Sequence, residues 1–101
     1  MDLYGGCLLI HAERRRQVEG EGWTLEHDDE HTDGELARAG GCYALAEYCR
    51  KTGWGDSAPP SFPWPDEYKP TPDDRIRELV EAGALIAAEI DRLLRLEAED
   101  G

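Results

Sequence analysis

The segment from Glu26 to Glu35 carries the residue types best able to do chemistry in this 101-residue sequence. Carboxylates fill most of it, and His27 and His31 stand four residues apart. On a helix those two histidines would share one face, as do the two histidine ligands of an HExxH zinc site. Asp28 occupies the glutamate position of that motif, and the apolar flanks of a zinc-protease helix are missing. The segment therefore does not predict a zinc protease.

A hard divalent cation suits these side chains better. Mg²⁺ and Mn²⁺ prefer carboxylate oxygens, water and phosphate oxygens as ligands. We expect Asp28, Asp29 and Glu35 to hold such an ion, with Glu13 reaching it from the first helix. Either histidine would then act as a ligand, an acid–base group or a phosphate donor. The alternative is structural, because acids just before a helix are stabilised by its dipole and His31 would only bond a backbone carbonyl.

Further candidate ligand-binding residues lie outside this segment. The consecutive Arg14, Arg15 and Arg16 could bind a phosphate or carboxylate group. More often such a run is a solvated helix face whose aliphatic stems cover apolar surface. Trp23 and Trp64 could stack on a nucleobase.

The elements that must position these residues are all helical. Apolar residues recur at helical spacing, and no strand pattern is found. We predict an all-α fold, a small three-helix bundle in a single domain over residues 1–101, whose core a second copy could complete. The helices are predicted at about 3–19, 34–51 and 72–98, with an ordered loop rich in proline and aromatic residues at 53–71.

Local signals define the ends and faces of these helices. In the first helix, Leu8 and Leu9 are predicted to form an apolar side while Glu13 faces water. Thr32 and Glu35 have capping-box spacing at the start of the second helix. Thr71 and Pro72 are predicted to begin the third helix, which has the clearest apolar period.

The charge balance excludes some classes of function. The net charge of −12 leaves no basic patch for direct binding to nucleic acid. It fits a cation site, a basic protein partner, or simply solubility. Cys7, Cys42 and Cys49 show no metal-binding or disulfide spacing, and we expect no signal peptide and no membrane span, since the apolar run from Cys7 to Ile10 is too short for either. We therefore expect a protein of a reducing cytoplasm.

The chain resembles a family of small phage and prophage proteins, and the similarity extends from Ile10 to Leu94. The segments that carry it are Glu13-Arg14-Arg15-Arg16-Gln17, Glu21-Gly22-Trp23, Glu26-His27-Asp28-Asp29 with His31, Gly34-Glu35-Leu36-Ala37, Pro63-Trp64-Pro65 with Lys69-Pro70, Leu79-Val80-Glu81-Ala82-Gly83-Ala84-Leu85-Ile86 and Ala88-Glu89-Ile90. This resemblance implies a phage-encoded accessory protein acting in a bacterial cell.

A looser similarity connects the chain with all-α MazG-like nucleotide pyrophosphohydrolases. Those enzymes bind magnesium through ExxE and ExxD motifs on neighbouring helices and hydrolyse nucleoside triphosphates. Glu78 and Glu81 have ExxE spacing here, but the EExxE helix of that family is missing. The similarity implies a helical bundle that binds nucleotides, with or without turnover.

Three functions remain open on these observations. The first is binding, with or without hydrolysis, of a nucleotide or nucleotide-derived immune signal, with Mg²⁺ or Mn²⁺. The second is an acidic anti-defence inhibitor, similar to an anti-CRISPR protein or a DNA mimic, that docks on a basic host defence protein. The third is an assembly role through a helical homo-oligomer, since the third helix carries a long apolar stripe.

Overall fold

Helices make up most of the computed structural model, which describes residues 3–100. The helices are α1 (Gly5–Gly20), α2 (Leu25–Asp29), α3 (Glu35–Lys51) and α4 (Arg75–Asp100), and a 3-10 turn covers Pro65–Glu67. The all-α fold is confirmed, with α1, α3 and α4 as its three main helices. The predicted single domain also includes residues 1, 2 and 101, which lie outside the described residues.

The start of α3 differs from the predicted capping box. Gly34 is the N-cap residue and has a φ of 74°, in the left-handed region that favours glycine. The Glu35 carboxylate accepts a hydrogen bond from the backbone N–H of Asp33 at 2.6 Å. Thr32 therefore lies outside the helix start, because the chain turns at Gly34 instead.

The start of α4 also lies later in the chain than the predicted residue 72. The Asp74 carboxylate accepts a hydrogen bond from the backbone N–H of Arg77 at 3.0 Å, so Asp74 acts as the cap. Thr71 instead closes the turn before the helix, where its hydroxyl donates to the Asp74 carbonyl at 3.0 Å. A capping carboxylate at Asp74 explains why α4 begins at Arg75.

α1 turns a polar face toward the rest of the protein. Its buried residues are Glu13 and Gln17, whereas Leu8 and Leu9 are exposed. The prediction that Glu13 faces water is therefore wrong. An ion pair at 2.7 Å joins Glu13 to Arg77 of α4, and Ile10 supplies an apolar contact of α1 with α4 at Gly83.

The core lies mainly between α3 and α4, whose backbones approach closely at Gly40. A β-carbon at that position would lie 3.0 Å from the Ala82 carbonyl oxygen and 3.0 Å from the Ile86 side chain. The buried core cluster consists of Leu36, Ala39, Cys42, Tyr43, Phe62, Ala82, Leu85 and Ala88. Its many small residues let the two helices pack at short range, which leaves little tolerance for added volume.

We expect opposite effects from adding one methyl group at two adjacent glycines. Gly40→Ala should lower the free energy of unfolding by about 1–2 kcal/mol, because the methyl group presses on a backbone carbonyl. Gly41→Ala should raise it by about 1 kcal/mol through helix propensity, because a β-carbon there meets nothing within 4 Å. Urea denaturation of both variants measures the difference. Equal effects would show that the helices do not touch at Gly40.

The loop after α3 is ordered by aromatic packing. Phe62 is buried, and its ring centroid lies 5.6 Å from that of Tyr43 and 4.8 Å from that of Tyr68. The Tyr43 hydroxyl accepts a hydrogen bond from the backbone N–H of Lys69 at 3.0 Å. Burial raises the pKa of Tyr68 to about 12, so its ring stays neutral. These contacts hold the loop over the core.

An apolar stripe runs along the outer face of α4. Its residues are Ile76, Leu79, Ile86, Ile90 and Leu93, which are each between 42% and 66% exposed. Their separations of three, four and seven residues match the seam of a coiled coil. Within residues 3–100, no helix is long and apolar enough to cross a membrane. Ile10 of α1 packs against α4 at Gly83, in the middle of this stripe, so exposed apolar residues lie on both sides of that contact. The homo-oligomer stays a prediction.

This prediction can be tested by placing a charge on the stripe. We expect light scattering of the unaltered protein to give at least a dimer mass at about 100 µM. Ile90→Glu should weaken that association at least about tenfold, because it puts a carboxylate in an apolar seam. Leu45→Glu is the matched control, since Leu45 is a similarly exposed leucine on α3. A monomeric unaltered protein, or equal dissociation in both variants, would contradict the prediction.

Candidate functional site

A pocket of about 750 Å³ opens beside the core. The aromatic part of its lining consists of Trp23, His27, His31, Tyr43, Phe62 and Trp64. Its polar lining includes Glu13, Arg16, Gln17, Arg77 and Glu81, which come from α1 and α4. The volume lies within the usual range for small-molecule sites. Aromatic side chains and charged side chains thus line the same cavity.

The aromatic wall is a continuous series of rings. The Trp23 and His27 rings stack with centroids 5.7 Å apart and an interplanar angle of 6°. The His27 and His31 centroids are 4.9 Å apart, and those of His31 and Trp64 are also 4.9 Å apart, both edge to face. This series extends to Phe62 of the core. Because each ring fixes the next, the wall offers a preformed face to another flat ring.

The short helix α2 carries His27, and His31 follows it two residues after its end at Asp29. The Thr24 side chain caps α2 by accepting from the backbone N–H of His27 at 3.3 Å. Asp28 is fully buried and forms an ion pair with Arg14 of α1. That pair fixes α2 against α1, so His27 and His31 both point into the pocket lining.

Hydrogen bonds indicate the proton positions on the neutral histidines. Nδ1 of His27 lies 3.3 Å from the Asp28 carboxylate, and Nδ1 of His31 lies 3.4 Å from the Glu35 carboxylate. An ionised carboxylate can only accept, so we assign the proton of each neutral ring to Nδ1. Nε2 of each ring is then a hydrogen-bond acceptor.

The charged wall centres on the buried carboxylate of Glu13. It accepts hydrogen bonds from Arg16 at 2.8 and 2.9 Å and from Arg77 at 2.7 Å. Burial alone would raise the pKa of Glu13, but these hydrogen bonds outweigh it and hold the pKa below its usual value. Burial raises the pKa of neighbouring Glu81, although Arg77 pairs with it at 2.9 Å. The wall therefore holds one firmly ionised carboxylate and one that gains a proton more readily.

Gln17 adds an acceptor to this wall. Its side-chain N–H donates to Glu13 at 3.2 Å, and its carbonyl oxygen is buried without a hydrogen-bond partner among the described residues. The amide cannot be turned around, since its oxygen would then face the Glu13 carboxylate. Nε2 of His31 is buried and unpartnered in the same described part of the chain. Such groups are costly to bury unless something completes them.

Several predicted site residues lie outside the pocket lining. Arg14 is held by Asp28, as described above, and Arg15 is an exposed partner of Glu19 at 3.4 Å. Asp29 pairs with Arg95 at 2.8 Å near the C-terminal part of α4. Of the three arginines, Arg16 is the one that reaches the pocket.

The four predicted metal ligands do not converge. Glu13 binds arginines of α1 and α4, Asp28 binds Arg14, and Asp29 binds Arg95. Glu35 bonds His31 and the backbone of residue 33. Within residues 3–100, no group of three or more His, Cys, Asp or Glu side chains is arranged to hold a metal ion. Binding of Mg²⁺ or Mn²⁺ stays a prediction.

Sequence reasoning missed part of the pocket. It did not select Gln17, Tyr43, Lys69 or Arg77, and it named Glu81 only for its ExxE spacing with Glu78; all five line the pocket. Arg77 is 64 residues from its partner Glu13, and no local pattern connects positions so far apart. A polar pair one turn apart on α1, at Glu13 and Gln17, was the one available signal.

Fold and site together define a small all-α protein with an aromatic pocket that charged groups also line. No protein-family model, no curated protein and no solved structure matches the chain significantly. The resemblance to small phage proteins and to MazG-like enzymes therefore stays a prediction.

Proposed function

We propose that this protein binds a nucleotide or a nucleotide-derived small molecule in the pocket. The observation that carries the proposal is that the aromatic wall of Trp23, His27, His31 and Trp64 lines the same cavity as Arg16 and Arg77. Aromatic rings stack on nucleobases, and guanidinium groups bind phosphate. In a phage-encoded protein of the bacterial cytoplasm, such binding would serve counter-defence or nucleotide-pool control.

The aromatic side chains and the charged side chains of the pocket would bind different parts of the ligand. A base would lie against the rings of Trp23 and Trp64, which are only partly buried and so remain accessible. The phosphate end would face Arg16, whose side chain is 46% exposed, and Lys69 at the same pocket. Arg16 also pairs with Glu21 at 2.9 Å, and a phosphate would replace that exposed partner.

Turnover would need a proton-transfer group beside the bound ligand. His27 and His31 supply ring nitrogens at the pocket, and Glu81 has a carboxyl pKa raised by burial. A divalent ion, if one is used, would enter with the phosphates, because Mg²⁺ commonly binds through substrate oxygens plus one or two carboxylates. Catalysis is therefore a separate question from binding.

A thermal-shift screen tests the proposal directly. The protein would be heated with millimolar nucleotides, cyclic nucleotides and ADP-ribose-type signals, each with and without Mg²⁺ or Mn²⁺, and products of any hit would be analysed. We expect at least one ligand to raise the melting temperature, and His31→Ala to abolish that rise. If no compound stabilises the protein in any condition, the proposal fails.

A second candidate is an acidic inhibitor that docks on a basic host protein. The exposed acids Glu26, Glu30, Glu97 and Glu99 favour it, since the structure gives none of their side chains a partner among the described residues. Binding through such groups should weaken strongly as salt concentration rises. If the affinity for a captured basic partner does not change with salt concentration, docking through these acids is contradicted. If the His31→Ala variant still captures the partner without any nucleotide, docking is independent of nucleotide binding.

A further inference from the structure

We propose that the pocket selects an aminopurine nucleoside or its monophosphate, whose base N–H groups bond to Gln17 and His31. This inference rests on the proposed function and specifies the class of ligand. It follows from two independent features, the polarity of the unpartnered groups in the pocket and the balance of its charges.

The first feature is that the two unpartnered groups are both acceptors. The Gln17 carbonyl oxygen is buried and its amide is oriented by Glu13. Nε2 of His31 is buried too, and the bond from Nδ1 toward Glu35 leaves it a lone pair in the neutral ring. A ligand that completes both groups must therefore donate hydrogen bonds.

The shape of the wall explains why the donors should belong to a flat ring. The Gln17 oxygen and the His31 nitrogen are both covered by neighbouring side chains. The donor group of the ligand therefore has to be thin enough to enter between those side chains. Trp23 and Trp64 are only partly buried, so a flat group can stack on their rings. A purine with an exocyclic amine combines a flat face with N–H donors at its edge. Adenine offers its N6 amine, and guanine offers N1–H and its N2 amine.

The second feature is the charge around the pocket. The described lining residues include the four carboxylates Glu13, Glu21, Glu67 and Glu81 but three cations, Arg16, Lys69 and Arg77. Two of those cations are already paired with the buried Glu13. The whole chain, with these residues included, has a net charge of −12. A ligand with three or four negative charges would be repelled, whereas a nucleoside or a monophosphate can be accommodated.

Isothermal titration calorimetry without divalent ions tests both features. The ligands are adenosine, guanosine, purine riboside, AMP, GMP, ATP and GTP at low salt. Purine riboside is adenosine without its amine, so it isolates that one group. We expect adenosine or guanosine to bind at least about tenfold tighter than purine riboside, a difference that one lost hydrogen bond can produce. We also expect the matching monophosphate to bind at least about tenfold tighter than the triphosphate.

Two variants locate the selectivity. Gln17→Leu removes the carbonyl acceptor, and His31→Phe keeps a ring but removes Nε2. Each should reduce the affinity ratio of aminopurine to purine riboside toward one. Because a ratio of affinities does not depend on the fraction of protein that is folded, partial unfolding of a variant cannot imitate this result.

The possible outcomes separate the two proposals. Equal binding of purine riboside and the aminopurines, or tighter binding of the triphosphates, would overturn this inference while the proposed function stands. Unchanged ratios in both variants would likewise overturn it. If no nucleoside or nucleotide binds at all, the proposed function fails and this inference fails with it.

Discussion

Glu78→Gln should lower the free energy of unfolding by about 3 kcal/mol or more, the largest stability effect that we expect from one substitution. The Glu78 side chain is fully buried and accepts two hydrogen bonds from Arg50, at 2.7 and 2.8 Å. Arg75 donates to it at 3.2 Å and the backbone N–H of Thr71 at 3.0 Å. This carboxylate thus joins α3, the loop and α4 at one point.

Glutamine keeps the shape of the side chain but reverses part of its chemistry. It removes the negative charge and places an N–H₂ group against guanidinium donors, so one arginine interaction becomes repulsive. In a chain of this size a loss of 3 kcal/mol corresponds to a fall in melting temperature of roughly 15 °C. Urea denaturation and thermal melting measure both values.

Glu19→Gln is the matched control for this substitution. Its partner is Arg15 at 3.4 Å, and both side chains are about two-thirds exposed, at 67% and 65%. Exposed pairs of this kind contribute little, so we expect a change below about 1 kcal/mol. A comparable effect from both substitutions would show that the Glu78 cluster does not hold the fold together.

The effect of Glu78→Gln should also depend on pH. The hydrogen bonds from Arg50 hold the pKa of Glu78 below its ordinary value of 4.5. A carboxyl whose pKa is lowered by folding contributes stability above its unfolded pKa and loses it as the pH falls through the folded value. The difference between the unaltered protein and Glu78→Gln should therefore be constant near neutral pH and shrink as the pH falls below the ordinary value of 4.5. A difference that grows on acidification would contradict the ion-pair explanation.

Trp64→Ala should weaken ligand binding about 10- to 100-fold, which is the effect of removing one base-stacking ring. The Trp64 ring forms the end of the aromatic wall, where it contacts His31 and Phe62. Trp23→Ala at the opposite end of the wall should have a similar effect. Calorimetry with the best ligand from the thermal-shift screen measures both, because it does not depend on tryptophan fluorescence.

Trp54 supplies the matched control within the same protein. It is 48% exposed, lies outside the pocket lining, and donates from its ring N–H to the Ser57 carbonyl at 2.9 Å. Trp54→Ala should leave ligand affinity within about twofold, a difference well below 1 kcal/mol. Melting temperatures without ligand show whether each variant is folded. Equal affinity of the Trp54 and Trp64 variants would move the binding site away from the aromatic wall.

The polar face of α1 explains how the pocket and the fold depend on each other. Glu13 is needed to hold α1 on α4 through Arg77, and the same carboxylate orients Arg16 and Gln17 at the pocket. A contact that stabilises the fold thereby also sets the polarity of the site. Substitutions at Glu13 would therefore change stability and binding together, which makes Gln17 the better probe of binding.

The amino-acid sequence by itself determined the parts that depend on local order along the chain. Helical periodicity and the absence of a strand pattern predicted the all-α class, because each helix requires only neighbouring residues to satisfy its backbone. The aromatic residues between prolines indicated an ordered loop. These features need no knowledge of distant partners. The shared helix face considered for His27 and His31 is not formed, because α2 ends at Asp29.

Only the tertiary structure decided which charged groups are buried and what they bind. Glu13 and Arg77 lie 64 residues apart, and Arg50 and Glu78 lie 28 apart. Both carboxylates are buried because a distant arginine offsets their desolvation, and the sequence looks the same whether that partner is present or not. For the same reason, the sequence could not show that Arg16 lines the pocket while Arg14 and Arg15 beside it do not. Ionic contacts carry no periodic signal, so their partners emerge only when the helices pack.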